Sequence, residues 1–325
     1  MIRATRYTIV LAAVATLLMG GSSFAQAADR TDHKREVLWQ KLEAKTKALD
    51  EKFDGVLGVA VFDPADGKTL LVNGDEVFPQ ASSIKIAILA ELYRQEQQSR
   101  NGASGKARLA DVYTVQKEDL VADSDIMLGL TPGVTRITNR DLATMMVAVS
   151  DNSAANVLIG RLGMDNVNAT LASVGLKNTQ LRRKMMDLNA AREGRENVAT
   201  PREMLLLLQT IYANKLFSKE LTDDFITVLA TSWEQNSKRS AMVRGLPAGV
   251  RSAEKPGELE GVRADSGYVF APNRPYILCV MTTYDKDEKQ AEDVISQIAT
   301  ETYAYFDLVG RASDYGRVIS PRNSK

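Results

Sequence analysis

The period of the hydrophobic positions changes several times along this chain. Between residues 31 and 53, Leu38, Leu42 and Leu49 recur among charges at helical spacing, which predicts an amphipathic first helix. Val56 to Phe62 is instead a run of β-branched and apolar residues that ends at the turn Asp63-Pro64-Ala65-Asp66-Gly67. Leu70 to Asn73 follows as a short partner strand, so this stretch predicts a hairpin. A second pair of apolar runs, Val262 to Phe270 and Pro275 to Tyr284, flanks the turn Ala271-Pro272-Asn273-Arg274. An amphipathic helix from about Lys289 to Leu308 closes the pattern. Between the strand groups the periodicity is helical: Ile84 to Glu96, apolar on one face, then Asn139 to Val149, Ser153 to Leu162 and Pro201 to Ala213. Thr138-Asn139-Arg140-Asp141 reads as an N-cap, and Thr200-Pro201 as a cap followed by an N1 proline.

Strands, then helices, then strands predict an α+β protein. One antiparallel sheet flanked by helices is assembled from both ends of the chain (about 34–80 and 232–310), and an all-α lobe (about 81–231) is inserted between them. There is no internal repeat. Asn101 to Lys106 is a loop of small and polar residues, and 311–325 is a polar tail.

The first residues follow a different logic. Arg3 and Arg6 form a positive start, Ile9 to Met19 is apolar, and Ala25-Gln26-Ala27 supplies a small-x-small cleavage pattern. The reading is a secretory signal, residues 1–27, cut after Ala27 to release a mature chain 28–325 into the periplasm or the medium. The alternative is an uncleaved anchor, but the apolar run is short for a membrane span, and no cysteine lies near the site to carry a lipid.

Composition then removes function classes. At 325 residues, with 44% hydrophobic and 25% charged, the chain is an ordinary globular protein. Its 41 basic and 41 acidic residues cancel, so no global field favours nucleic acid or an anionic membrane. Cys279 is the single cysteine and lies in the apolar run Tyr276 to Met281, which predicts a buried, inert thiol and no intramolecular disulfide. One cysteine and one histidine, His33, cannot build a structural zinc site; neither metal nor cofactor is expected, and the expected state is a monomer.

Three short clusters carry the chemistry. Ser82-Ser83-Ile84-Lys85 sets a serine at the start of a predicted helix with a lysine three residues on, on the same face. Backbone N–H groups and the positive end of the helix dipole favour developing negative charge there. A lysine in a closed pocket loses its proton near neutral pH and can activate a serine. Taken alone, the same residues also read as a plain N-cap and a surface lysine. Ser150-Asp151-Asn152, between two predicted helices, and Lys255-Pro256-Gly257, leading into a strand, each read in isolation as turns. The three together, in this order, offer a nucleophile, two lysines, a second hydroxyl and an amide, with no histidine required.

On these clusters the chain resembles the class A β-lactamase-like family of penicillin-recognising serine enzymes. The resemblance spans about residues 35–310 and includes the run Ser150 to Leu158, Thr200-Pro201-Arg202, and Asp265 beside Lys255-Pro256-Gly257. It implies an α/β sandwich lobe plus a helical lobe with the site between them. It also implies roles: Ser82 as the acylated nucleophile, Lys85 as its proton acceptor, Ser150 as the proton relay to the leaving amine, and Lys255 as the group holding Ser150 and the substrate's anionic end. Asn152 and Asn189 would contact substrate. Gly257 and Glu258 would line the binding strand, with the N–H groups of Ser82 and Glu258 as the oxyanion hole.

The chain also departs from the family. In Arg183-Lys184-Met185-Met186-Asp187-Leu188-Asn189, Met185 occupies the position of the deacylating glutamate, and Asp187 is the nearest carboxylate. Pro256 replaces a threonine or serine whose hydroxyl binds substrate carboxylate, and Glu258 adds negative charge. No aromatic gatekeeper appears in Asp119 to Asp123. Arg263 reads as a solvated strand arginine or as a compensating positive charge. The expectation is an exported serine hydrolase that acylates Ser82 with a β-lactam or related amide or ester and hydrolyses β-lactams weakly. The alternatives are a carboxypeptidase or transpeptidase acting on D-Ala-D-Ala peptides of the cell wall, and a binding protein for such peptides or for β-lactams.

Overall fold

The computed structural model describes residues 33–236, 240–313 and 315–319; the signal segment read from residues 1–27 lies outside the described residues. Helix α1 (33–50) leads into the hairpin of β1 (Val56–Asp63) and β2 (Lys68–Val72). The short β3 (Phe78–Pro79) and a 3₁₀ turn, Ala81–Ile84, precede α2 (Lys85–Arg100). Strands β4 (Val112–Thr114) and β5 (Arg136–Thr138) form a small ribbon ahead of α3 (Asn139–Ala148), α4 (Asn152–Leu162), α5 (Met164–Ser173) and α6 (Leu188–Arg192). Strand β6 (Val198–Ala199) pairs with β3 and is followed by α7 (Pro201–Tyr212), α8 (Lys219–Asn236) and α9 (Ala241–Arg244). Strands β7 (Ser252–Leu259), β8 (Val262–Val269) and β9 (Tyr276–Thr283) and helix α10 (Glu288–Gly310) complete the order.

Both chain ends meet in one antiparallel sheet of order β2-β1-β9-β8-β7. Val59 faces Val72 on one side and Val280 on the other, and Ala264 faces Met281. Every residue of β8 and nearly every residue of β9 is buried, because helices cover both faces. On one face Leu57, Val59, Leu278 and Val280 pack with Trp39 of α1 and Ile295, Ile298 and Phe306 of α10. On the other, Ala60, Ile277, Cys279 and Met281 join the larger core of the helical lobe. Each such large side chain contributes about 1.5–3 kcal/mol on burial.

The α+β architecture is the one the sequence predicts, with three local differences. Helix α2 is buried on nearly every side rather than on one face, and it runs on to Arg100. It is the central post of the helical lobe, so its polar residues are enclosed with their partners. The Glu91 carboxylate, for instance, accepts from Arg94 Nε at 2.7 Å, Gln95 Nε2 at 2.7 Å and the Thr170 hydroxyl at 2.5 Å. Strand β7 extends through Glu254-Lys255-Pro256-Gly257-Glu258, where the sequence suggests only a turn leading into a strand. Pro256 is tolerated because β7 is the edge of the sheet, where an imide nitrogen can face away from the ladder. Arg263 is neither solvated nor free to offer its charge. It is buried, donates to the carbonyls of Leu259 (2.8 Å) and Val262 (2.9 Å), and pairs with Glu288 of α10 at 2.9 Å.

One buried carboxylate organises the approach to the site loop. Glu203, in the first turn of α7, accepts from the backbone N–H groups of Lys177 (2.9 Å), Asn178 (3.0 Å) and Thr179 (2.7 Å) and from the Thr179 hydroxyl (2.7 Å). Burial pushes this carboxyl up, but the Thr179 hydroxyl and the three N–H groups outweigh it and hold the group below its ordinary range. Its stabilisation is therefore present above the normal carboxylate pKa and lost as pH falls through the lower folded value. Glu203→Ala strands these donors and is expected to cost about 2–3 kcal/mol, lowering Tm by roughly 5–10 °C. Thermal melts of both proteins from neutral to acid pH check this, with the gap between them shrinking toward acid.

Candidate active site

The turn that carries Ser82 is a strained entry into α2. Ala81 has a left-handed φ of 45°, unusual for a residue with a Cβ. The strain is held by Gln80, whose N–H donates to Asn197 O at 2.8 Å and whose carbonyl accepts from Ser83 N at 2.9 Å. This places Ser82 in the 3₁₀ turn and Lys85 at the first residue of α2. Lys85 is fully buried, and its Nζ lies 3.0 Å from Ser82 Oγ, 2.6 Å from Ser150 O, 3.1 Å from Ser150 Oγ and 2.8 Å from Asn152 Oδ1. Burial, followed by the charge of Lys255, drives the Lys85 pKa well below that of a free lysine, and Asp151 only partly opposes them. As a neutral amine Nζ keeps a lone pair that can accept a hydroxyl proton.

Ser150 is brought to this amine by a second backbone departure, a φ of 59° between α3 and α4. Its neighbour Asp151 fixes the position. One carboxylate oxygen caps α4 through Ala154 N at 2.9 Å, and the other accepts from Ile126 N (3.1 Å) and Met127 N (2.9 Å). Ser124 adds to the same junction by accepting from Ser153 N at 2.9 Å. The loop at 123–127 is thereby tied to the start of α4 and becomes one wall of the site.

The opposite wall is β7. Lys255 is 1% exposed, and its Nζ donates to Pro256 O at 2.8 Å. Burial pushes its pKa down to about 8, against the nearby carboxyls of Glu254, Asp265 and Glu258. Gly257 is required by contact: a Cβ there would fall 2.4 Å from Gln80 O, 2.7 Å from Ser83 N and 3.0 Å from Ser82 N. The strand therefore lies backbone to backbone against the Ser82 turn. Asp265 of β8 is turned to α9, accepting from Met242 N at 2.9 Å and the Ser240 hydroxyl at 3.2 Å.

Between the walls is a cleft of about 370 Å³ lined by Ser82, Ser150, Asn152, Lys255, Pro256 and Glu258, together with Asp123, Asp125 and Val147–Val149. Seven of the eight residues singled out in the sequence therefore gather here, counting Lys85 beneath Ser82 and Gly257 in the wall. Asn189 is exposed on α6 and is not among the residues that line the cleft. The loop before it is held by side-chain amides. Asn156 clamps Met185, accepting from its N–H at 2.8 Å and donating to its carbonyl at 3.0 Å, and Asn197 accepts from Arg182 N at 2.7 Å. Met185 is 6% exposed. Asp187 is exposed and spends its carboxylate on capping α6 through Ala190 N at 3.0 Å. Asp123 and Asp125 line the cleft without any mark in the sequence, since isolated aspartates in a loop carry no spacing signal. The capping role of Asp151 went unread, although an Asp just before an apolar helical run is a start signal.

Known proteins resemble the chain along most of its length. A family model described as "Beta-lactamase enzyme family" matches residues 41–306. A beta-lactamase of Streptomyces lavendulae is 31% identical over 295 residues, covering 87% of this chain and 89% of the relative. One of Bacillus amyloliquefaciens is 28% identical, covering 77% and 79%. Among solved structures, a beta-lactamase from Sphaerobacter thermophilus superposes with a TM-score of 0.70 at 29% identity, over 81% of this chain and 96% of that one. An ancestral class A beta-lactamase superposes with a TM-score of 0.72 at 29% identity, over 82% and 100%. A fold shared along nearly the whole chain, and a cleft that joins a serine to two buried lysines, lead to one conclusion: the protein belongs to the class A beta-lactamase family of serine hydrolases.

Proposed function

We propose that the protein is an exported acyl-enzyme former: Ser82 attacks the carbonyl of a β-lactam or related amide or ester, and the resulting ester is released slowly. The observation that carries this reading is the enclosed Lys85 amine, 3.0 Å from Ser82 Oγ and 3.1 Å from Ser150 Oγ. Lys85 takes the Ser82 proton as Oγ bonds to the carbonyl carbon. Ser150 then passes a proton, resupplied by Lys85, to the leaving amine nitrogen as the carbon–nitrogen bond breaks. Lys255, charged below about pH 8, supports the developing charge.

The oxyanion position follows from ladder geometry. In β7 alternate residues turn their N–H groups toward β8, and a proline cannot occupy a donating position. Pro256 therefore faces its nitrogen off the sheet edge, and two residues on Glu258 directs its N–H the same way. Gly257 holds that edge against Ser82 N. Two N–H groups converge beside Ser82, each worth about 10²–10³ in rate.

Release is the weak half. Met185, at the family's glutamate position, can neither accept a proton nor orient a water, and Asp187 is engaged at the start of α6. A missing general base costs about 10²–10⁴-fold. The signal pattern of residues 1–27 supports action outside the cytoplasm.

Exposure to benzylpenicillin is expected to yield a Ser82 adduct by mass spectrometry that persists while nitrocefin turnover stays slow. Ser82→Ala abolishes the adduct, and fast turnover by the wild type would overturn the slow-release reading. Met185→Glu is expected to shorten the adduct lifetime by about 10²-fold or more, which a decay time course measures. The acylation rate is expected to fall as pH rises through about 8, where Lys255 loses its charge. Lys255→Ala removes that alkaline limb and lowers the rate about 10²-fold, as stopped-flow acylation across pH 6–10 would show.

A further inference from the structure

Gln80 stands immediately before Ala81, whose left-handed φ of 45° carries the chain into the Ser82 turn. Its side chain is fully buried and ends in an amide held between two strands. Nε2 donates to Met281 Sδ of β9 at 3.1 Å and, folding back, to Phe78 O of β3 at 3.4 Å. The amide oxygen Oε1 is buried with no hydrogen-bond partner. On the main chain, Gln80 N–H donates to Asn197 O at 2.8 Å and the Gln80 carbonyl accepts from Ser83 N at 2.9 Å. One residue thus ties the turn to β3, to β9 and to the segment entering β6.

A methionine would fill this place with no polar atom to strand. Burying an amide whose acceptor goes unmet lowers stability, and such a group in a native structure calls for a reason. Ala81 supplies one, because a sparsely populated backbone conformation persists only where its surroundings over-determine it. Fastening the Gln80 side chain to two strands is such a constraint, one residue from the strain. What it protects is the 3.0 Å between Ser82 Oγ and Lys85 Nζ, where a displacement of about 1 Å costs about 10²-fold in rate.

We infer that Gln80 is a positioning residue for Ser82: its amide, fastened to Phe78 and Met281, holds the strained turn that sets Ser82 Oγ beside Lys85 Nζ, and leaves an unpaired buried oxygen as the cost. The inference rests on the acyl-enzyme reading above and adds a residue that is not among those lining the cleft.

Gln80→Met, Met281→Leu and the two combined test this in the mature protein. Thermal melts give Tm, and growth of the Ser82 adduct mass gives the rate of acylation by benzylpenicillin. Gln80→Met is expected to raise Tm by about 2–4 °C and to lower the acylation rate constant by about 10–10²-fold. A residue acting through packing alone moves stability and rate in the same direction. Met281→Leu keeps the apolar volume but removes the sulfur acceptor, and is expected to slow acylation less. The combined variant is expected to be no slower than Gln80→Met alone, because both changes act on one contact. Unchanged acylation in Gln80→Met, a Tm that falls or a chain that fails to fold, or losses that multiply in the combined variant would each overturn the positioning role while leaving the acyl-enzyme reading intact. A wild-type protein that forms no Ser82 adduct would overturn that reading and this inference with it.

Discussion

The enclosure of one lysine amine governs the rest of this structure. Lys85 is fully buried yet touches four oxygens from Ser82, Ser150 and Asn152, and its environment favours the neutral form. Water around that amine would restore its ordinary basicity, so everything nearby serves to keep it dry and fixed. Helix α2 must be buried around its circumference, Ser150 must leave helical geometry to bring both its oxygens to the amine, and α4 must begin at Asn152. The positive φ values at Ala81 and Ser150 are the local strain this demands.

The second lysine acts through a different arrangement. Lys255 projects from an edge strand whose side away from β8 borders the cleft. An exposed edge is a liability in most sheets; here the Ser82 turn covers part of it, with Gly257 allowing contact closer than any side chain permits. The edge thereby becomes a wall of the cleft, and Pro256 ceases to be a defect and becomes an indicator of which way the strand's donors point.

Legibility in the sequence followed the kind of force involved. Helices α1, α2, α3, α4, α7 and α10 and the strands β1, β8 and β9 were readable because burial on one or both faces writes a period into the chain, whereas α8 was not singled out. β7 was not, since its residues are selected for the cleft: Glu254, Lys255, Pro256 and Gly257 look like a turn until the edge position is known. The arginine of β8 misled for a related reason, because its partner Glu288 comes from a helix distant in sequence and one residue's neighbours say nothing about which face it occupies. Ser82, Lys85, Ser150 and Lys255 were legible through joint order, whereas Asp123 and Asp125, set by loop geometry, left no pattern. Asn189 was carried over from the family and lies on the exposed side of α6.

The contact between Gly257 and the Ser82 turn joins segments far apart in the chain, and the sheet behind it forms only when the first and last strands pair. Contacts of such long range form late, because loop closure must precede them. Until then Lys85 is a solvated, protonated lysine and Ser82 an ordinary alcohol. The arrangement around Lys85 is thus a property of the completed tertiary structure alone: a chain still emerging from synthesis has the same residues in order but not the dry amine, which exists only in molecules whose two ends have met.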